Sequence, residues 1–153
     1  MKGISEFISY ALVILLAASA LAIVVTVGLP TLQQSREVAS FDMGFNNMQQ
    51  FDSMIKEVAS EGQGSSRSVQ INVNIGKYST INNSLVFTYY TTKSFIQNST
   101  AYGNIRIMAG YNTGNLTLQY DNINITGSLN IQTGSYMICM QNMGTATVNV
   151  KVC

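Results

Sequence analysis

The first 60 residues carry two successive hydrophobic patterns, and both are typical of helices. From Phe7 to Leu29 no residue is charged and most are apolar. A helix rises about 1.5 Å per residue, so about 20 such residues cross the hydrocarbon core of a bilayer. After Pro30, apolar residues recur at steps of three and four, the spacing of one helical face. They are Val38, Phe41, Phe45, Met48, Ile55 and Ala59, and Asp52 interrupts the stripe between Met48 and Ile55.

These patterns predict one long N-terminal helix over residues 4–60, apolar over 4–29 and amphipathic over 31–60. Because Pro30 has no backbone N–H and crowds the preceding turn, we expect a kink there rather than the end of the helix.

Residues 61–68 are rich in Gly and Ser, which predicts a linker. After them, apolar and polar residues alternate with a period of two. From Val69 to Ile75, apolar and polar residues alternate as in a strand with one buried face. Similar runs predict strands at 85–91, 104–108, 116–120, 122–126, 129–132, 135–140 and 145–152, with one of the turns at 142–144. The sequence therefore predicts an α+β protein, in which a long kinked helix precedes a β-rich antiparallel sheet or sandwich over 69–153.

Charge and residue types narrow the functions that this chain can have. Only 10% of the 153 residues are charged, the formal net charge is +1, and there is no His. Because the chain has no His, it cannot form a Ser-His-Asp or a Cys-His catalytic centre. It also cannot form a metal site with histidine ligands. There is also no cluster of Lys and Arg to neutralise nucleic-acid phosphates. We therefore expect no enzymatic activity, no metal or other cofactor, and no nucleic-acid partner.

Four Asn-x-Ser/Thr triplets make Asn82, Asn98, Asn115 and Asn124 candidate N-glycosylation sites. A chain rich in Asn and Thr also produces such triplets by chance. Asn98 lies between predicted strands, which favours it, whereas Asn124 lies within one and is usable only if it points outward. Glycans would add bulk and solubility to a β-rich domain with few charges.

The two cysteines, Cys139 and Cys153, suit an oxidising compartment. A hairpin that turns at 142–144 places Cys139 opposite Thr147. Cys153 then lies about 20 Å away, at about 3.3 Å per residue, whereas a disulfide needs a Cα separation under about 7 Å. A disulfide therefore requires a different turn or a bulge, and the alternatives are two buried thiols or a bond between subunits.

The N-terminus fits two export routes. Ala18-Ser19-Ala20 matches the small-x-small cleavage site of a secretory signal, but the apolar run continues past it to Leu29. The second route cuts after Gly3, which leaves the apolar helix on the mature chain. The two routes therefore differ in whether the helix is kept.

The start of the chain, Lys2-Gly3-Ile4 followed by SEFISYALVILL, resembles the class III signal peptides of the archaeal type IV pilin superfamily. The resemblance implies a leader, residues 1–3, that a prepilin peptidase removes, so that Ile4 becomes the new N-terminus. It also implies that the helices bundle into the core of an extracellular filament. Glu6 resembles the family's acidic residue near the mature start, which pairs with a terminal amine in bacterial relatives, although it stands third rather than fifth.

We therefore expect a structural subunit of an archaeal type IV pilus-like filament at the cell surface, used for adhesion or surface attachment. The expected partners are further copies of the chain in a helical filament, the prepilin peptidase and assembly machinery, and the cytoplasmic membrane before assembly. The stretch TLQQSRE after Pro30 resembles archaellins, a variant within the same superfamily. From a different class, the alternative is a secreted or membrane-anchored β-domain binding or envelope protein that does not polymerise.

Overall fold

The structure is a computed structural model that describes residues 2–91, 99–110 and 112–153, without the side chains of 2–6 and 109. Its helical part comprises α1 (Lys2–Ile23), a π-helical turn (Val24–Gly28) and α2 (Leu29–Ser60). Ten strands follow in the described residues, and nearly all of them pair antiparallel. The predicted α+β class is therefore confirmed, with an apolar N-terminal helix ahead of a β-rich domain.

The helix departs from α geometry just before Pro30. Leu29 donates its backbone N–H to the carbonyl of Val24, five residues back, which is the spacing of a π turn. Pro30 has no N–H, so the carbonyl four residues before it lacks its usual α-helical donor. The kink at Pro30 stays a prediction, but the helix widens at this point and then resumes as α2.

The chain divides into two compact units, Met1–Arg36 and Glu37–Cys153. The first, which we call the N-terminal unit, is helical throughout its described residues. The second, which we call the head, holds the remainder of α2 and every described strand.

The head contains two sheets. Its strands are β1 (Ser66–Val73), β2 (Lys77–Ile81), β3 (Ser84–Tyr90), β4 (Thr100–Tyr102), β5 (Ile105–Ala109), β6 (Thr113–Leu118), β7 (Asn124–Thr126), β8 (Asn130–Ile131), β9 (Gly134–Gly144) and β10 (Thr147–Val152). The four-stranded sheet has the order β1-β9-β10-β7, and the six-stranded sheet has the order β4-β5-β6-β3-β2-β8. Only β7 and β10 pair in parallel among the described strands. Because β7 and β8 belong to different sheets, the short segment between them carries the chain from one sheet to the other.

One face of α2 forms the centre of the head's core. Its buried residues are Glu37, Ser40, Gly44, Met48, Phe51, Ile55 and Val58, again at steps of three and four. The ring of Tyr78 on β2 lies 5.7 Å from that of Phe51 and 4.5 Å from that of Phe87, measured between centroids. A Cβ on Gly44 would lie 2.1 Å from Cε1 of Phe87, so the glycine lets the helix approach the sheet closely.

The predicted apolar stripe of α2 matches this core except at its start. Met48 and Ile55 are fully buried, and Phe41, Phe45 and Ala59 pack partly buried against them. Val38 instead stays 44% exposed. Val38, in the first turn of α2 inside the head, is therefore an apolar side chain that lies outside the head's core.

Some strand boundaries differ from the sequence-based expectation. β1 begins at Ser66, inside the segment 61–68 that we expected to be a linker. The turn expected at 142–144 lies within β9, and the chain turns instead at Thr145 and Ala146, whose φ angles are 49° and 53°. β2 and β4 were not predicted, because each is short and carries few large apolar side chains.

Candidate functional site

The most distinctive surface of this chain is the apolar side of its N-terminal unit. From Phe7 to Arg36 every residue is exposed apart from Gly28, which is half-buried. The large apolar side chains between Phe7 and Leu32 are 55% to 76% exposed. By length and composition the helix can cross a membrane. Apolar surface of this extent is favourable only against lipid or another protein surface.

Several hydroxyl side chains of this unit donate hydrogen bonds to carbonyls of their own helix. Ser19 donates to the carbonyl of Leu16 at 2.8 Å, and Thr26 donates to that of Ala22 at 2.7 Å. Thr31 and Ser35 donate in the same way to the carbonyls of Val27 and Thr31, at 2.7 Å and 3.0 Å. A hydroxyl bonded to its own helix needs no water, so these residues do not prevent the helix from lying in an apolar environment.

A polar cluster around Asp52 ties α2 to the six-stranded sheet. Its Oδ1 accepts a hydrogen bond from the Tyr120 hydroxyl at 2.7 Å and from Asn104 Nδ2 at 3.1 Å. Its Oδ2 accepts from Lys56 Nζ at 2.8 Å, and the two residues stand four apart on α2 in the favourable order with the acid first. Burial alone would raise the pKa of Asp52, but these hydrogen bonds together lower it. The ionised carboxylate therefore acts as an anchor between the helix and the sheet.

The pKa of Tyr120 shifts in the opposite direction. Its burial, together with its hydrogen bond to the Asp52 carboxylate, raises the pKa of its hydroxyl well above the usual value. The phenol therefore stays protonated and remains the donor in this pair.

A second polar cluster closes the C-terminal end of α2. Asn142 Nδ2 donates to the carbonyls of Val58 and Glu61, each at 2.9 Å. Val58 lies in the last turn of α2, where carbonyls have no partner within the helix, and Glu61 directly follows the helix. Arg67 on β1 adds hydrogen-bonded ion pairs to Glu57 and Glu61. The sequence contains no signal for this role of Asn142, since Asn142 and Gly144 together are typical of a turn.

A third polar contact lies at the other end of the head's helix. Glu37 is 9% exposed, and its Oε2 accepts a hydrogen bond from the Thr91 hydroxyl at 3.1 Å. Thr91 directly follows β3, so this bond places the end of β3 beside the first turn of the head's helix. Neither residue was singled out in the sequence, because an isolated carboxylate in a helix is usually solvated.

The residues at the predicted cleavage site, Lys2, Gly3 and Ile4, belong to α1, and so does Glu6. Their cleavage and amine-pairing roles stay predictions. In the described part of the chain, no three His, Cys, Asp or Glu side chains are grouped so as to hold a metal ion.

The candidate glycosylation sites differ in accessibility. Asn82 lies in an exposed turn with a φ of 47°, and Asn124 is exposed on β7. These two sites are neighbours, because Asn83 Nδ2 lies 3.3 Å from Asn124 Oδ1. Asn115 is half-buried within β6, between β3 and β5, which makes it the least accessible of the three. Asn98 lies outside the described residues, and occupancy of all four stays a prediction.

Cys139 and Cys153 form a disulfide with a Cα separation of 5.2 Å. The register that we expected for their hairpin was wrong. The turn at Thr145 and Ala146, with an irregularity between Thr147 and Val148, places Cys139 opposite Lys151. Cys153 is then two residues beyond Lys151, diagonal to Cys139, which is within disulfide reach.

Comparison with known proteins finds one related family. No curated protein and no solved structure matches the chain. A model of a family of unknown function, DUF7289, matches residues 2–127, which include the whole helical part and the strands through β7. The chain therefore belongs to the DUF7289 family.

Proposed function

We propose that this protein is a structural subunit of an extracellular filament of the type IV pilus kind, used for adhesion or surface attachment. Before assembly it would be inserted in the cytoplasmic membrane through its apolar helix. The observation that carries the proposal is the contrast within one helical run, Lys2–Ser60. The part from Phe7 to Leu32 buries none of its side chains, whereas the part from Glu37 onward forms the core of the head.

The exposed helix supplies the energy for assembly. In lipid its apolar side chains gain little by meeting another helix, because lipid tails are equally apolar. Once the helix leaves the bilayer, each Å² of apolar surface removed from water contributes about 25 cal/mol. Copies of the same helix are the surface available in large number to cover it. Successive copies in one orientation make a heterologous contact that does not close, which yields a filament.

The first test is the mass of the mature N-terminus. For the filament subunit we expect a chain that begins at Ile4. A chain that begins at Leu21 would have lost its apolar helix, which would make it a secreted β-domain protein. A chain that still begins at Met1 would be a plain membrane anchor. Either of the last two results contradicts the proposal.

The second test compares two glycine variants in the producing cell. Gly3→Val alters the predicted cleavage site, and we expect it to leave an unprocessed chain in the membrane and no filaments by electron microscopy. The matched control is Gly62→Ala, because this glycine lies in the head and an added Cβ there meets nothing within 4 Å. We expect the control to be processed and assembled. Filaments formed by Gly3→Val would contradict the proposal.

A further inference from the structure

The charges of the head are separated by sign along the chain. Residues 37–61, which contain the head's part of α2, include five acidic residues and one Lys, so their formal charge is −4. Residues 62–153, which contain every described strand, include five basic residues and one Asp, so their formal charge is +4. The acidic residues of the first segment are Glu37, Asp42, Asp52, Glu57 and Glu61, and the basic residues of the second are Arg67, Lys77, Lys93, Arg106 and Lys151. The head is therefore neutral as a whole, with an acidic helical segment and a basic β-rich segment.

Ion pairs within the head join only part of this charge. Lys56 pairs with Asp52, its neighbour on α2. Arg67 on β1 pairs with both Glu57 and Glu61. The basic side chains of the six-stranded sheet take no part in these pairs.

Two of those side chains, Lys77 on β2 and Arg106 on β5, share the outer face of the six-stranded sheet. Tyr78 follows Lys77, and Ile105 and Ile107 flank Arg106, and all three are buried in the core. Because side chains alternate between the faces of a strand, Lys77 and Arg106 point away from the core. Both are exposed, and neither has an ion pair among the described residues. The described strands of this sheet contain no Asp or Glu, so its outer face is basic.

The same face exposes apolar side chains beside these cations. Met108 stands two residues from Arg106 and is 44% exposed, and Ile81 stands four residues from Lys77 and is 52% exposed. Even spacing along a strand places each of them on the outer face. β6 and β3 separate β5 from β2, so at about 4.8 Å per strand this face is about 14 Å wide between its two cations.

The exposed side of α2 carries the opposite charge. Asp42 lies two residues from both Ser40 and Gly44, which are buried, and two residues turn a helix by about 200°. Asp42 therefore points away from the core, where it is exposed and has no ion pair among the described residues. The side chain of Glu57 is 52% exposed and shares Arg67 with a second carboxylate. The acidic side of the helix and the basic face of the sheet thus point outward from opposite sides of one core.

We propose that these two surfaces meet between neighbouring copies of the chain, so that the outer face of the six-stranded sheet of one copy lies on the exposed side of α2 of the next. The inference rests on the proposed function, because it names the contact between heads in the filament. The two surfaces differ, so the contact is heterologous and repeats without closing. Opposite charges fix which surfaces meet, because sheet against sheet or helix against helix would bring like charges together.

The first test treats the wild-type filament with a carbodiimide, which joins a Lys amine to a carboxylate in direct contact, with loss of water. We expect a ladder of covalent multimers on denaturing gels. Mass spectrometry of the dimer band should find Lys77 joined to Asp42 or Glu57. Lys77→Gln should remove most of the ladder.

The matched control is Lys151→Gln. Lys151 is also exposed on a strand, but it belongs to β10 of the four-stranded sheet, which the proposed contact does not include. We expect its ladder to equal that of the wild type. Equal ladders from Lys77→Gln and Lys151→Gln would overturn the inference and leave the filament itself in place. A wild-type protein that forms no filament would contradict the proposed function, and this contact with it.

The second test reverses the charges. Lys77→Glu combined with Arg106→Glu makes the sheet face acidic, and we expect most filaments to be lost because two acidic surfaces then face each other. Adding Asp42→Lys should restore part of the filament yield, which it could not do if the double variant were misfolded. Near-UV circular dichroism of the subunits in detergent checks the fold of both variants.

Two results of the charge reversal would overturn the inference. One is normal assembly of the double variant, which would mean that the basic face binds another partner, such as an acidic polysaccharide. The other is a triple variant that recovers no filaments, because the acidic side of α2 would then not be the surface that the sheet contacts.

Discussion

The N-terminal unit and the head contain the same kinds of apolar side chain in opposite surroundings. Leu16 in the first is 60% exposed, whereas Leu116 and Leu118 in the second are fully buried. In the head, apolar and polar residues alternate with the period of each strand or helix, so every element has one face to bury. From Phe7 to Leu29 the N-terminal unit is apolar on all sides, and no single contact could cover it. This segment is therefore stable only against lipid or another protein surface.

The largest expected effect comes from removing a ring from the core. Phe51→Ala should lower the free energy of unfolding of the head by about 3–5 kcal/mol, because the lost ring leaves a cavity between α2 and β2. Leu16→Ala changes an exposed side chain of the N-terminal unit and should leave that free energy unchanged. Urea unfolding in detergent micelles, followed by near-UV circular dichroism, measures both. Similar losses of unfolding free energy in the two variants would contradict the difference between the head and the N-terminal unit.

The disulfide belongs to the head alone. Its cysteines are 14 residues apart, so replacing both by Ser should cost about 3 kcal/mol through the freer unfolded chain. Reducing the wild-type protein with dithiothreitol should shift the urea midpoint to that of the double variant. If the reductant has no effect on the wild-type midpoint, the bond does not stabilise the head.

A pair of glycines repeats the comparison on a smaller scale. Gly44→Ala should destabilise the head by about 1–3 kcal/mol, because the added Cβ overlaps Phe87 and forces the core to shift. Gly28→Ala meets no close neighbour and should leave the unfolding of the head as it was. Thermal unfolding of the two variants under identical conditions separates them. An unaffected Gly44→Ala protein would mean that α2 and β3 approach each other less closely than described.

The smallest effect concerns Asp52. Asp52→Asn should cost about 1 kcal/mol at neutral pH, the net value of a hydrogen bond. The folded pKa of Asp52 is lowered, so its stabilisation is complete above the unfolded pKa, about 4. It is lost as the pH falls through the folded value, and the curves of wild type and variant should converge in acid.

The control for this titration is Asp121→Asn, which changes an exposed carboxylate. Its stability should match that of the wild type at neutral pH. A difference between wild type and Asp52→Asn that stays constant down to strongly acid pH would show that the charge of Asp52 is not what stabilises the fold.

Much of the fold follows from periodicity alone. The helical run, its buried Met48 and Ile55, and the strands that carry several large apolar side chains could be predicted because each repeats a pattern over many residues. β2 has Tyr78 as its one large buried side chain, so its five residues gave no comparable signal.

The polar contacts could not be predicted in the same way. Asn142 looked like a turn residue because Gly144 follows closely, but the turn uses Thr145 and Ala146 at positive φ, which non-Gly residues rarely adopt. That displacement moved the hairpin register and brought Cys139 within reach of Cys153. Asn142 instead bonds to carbonyls more than 80 residues earlier in the chain, a partnership that only the folded structure reveals.

The bond between Cys139 and Cys153 also affects how the head resists mechanical load and digestion. Cys153 lies one residue past β10, and Cys139 lies on β9, which has a neighbour on each side in its sheet. A pulling force or an exopeptidase that acts on the chain from beyond β10 therefore meets a covalent crosslink before it can peel β10 away residue by residue. The bond therefore locks β10 to β9 at the end of β10 where unzipping would otherwise start.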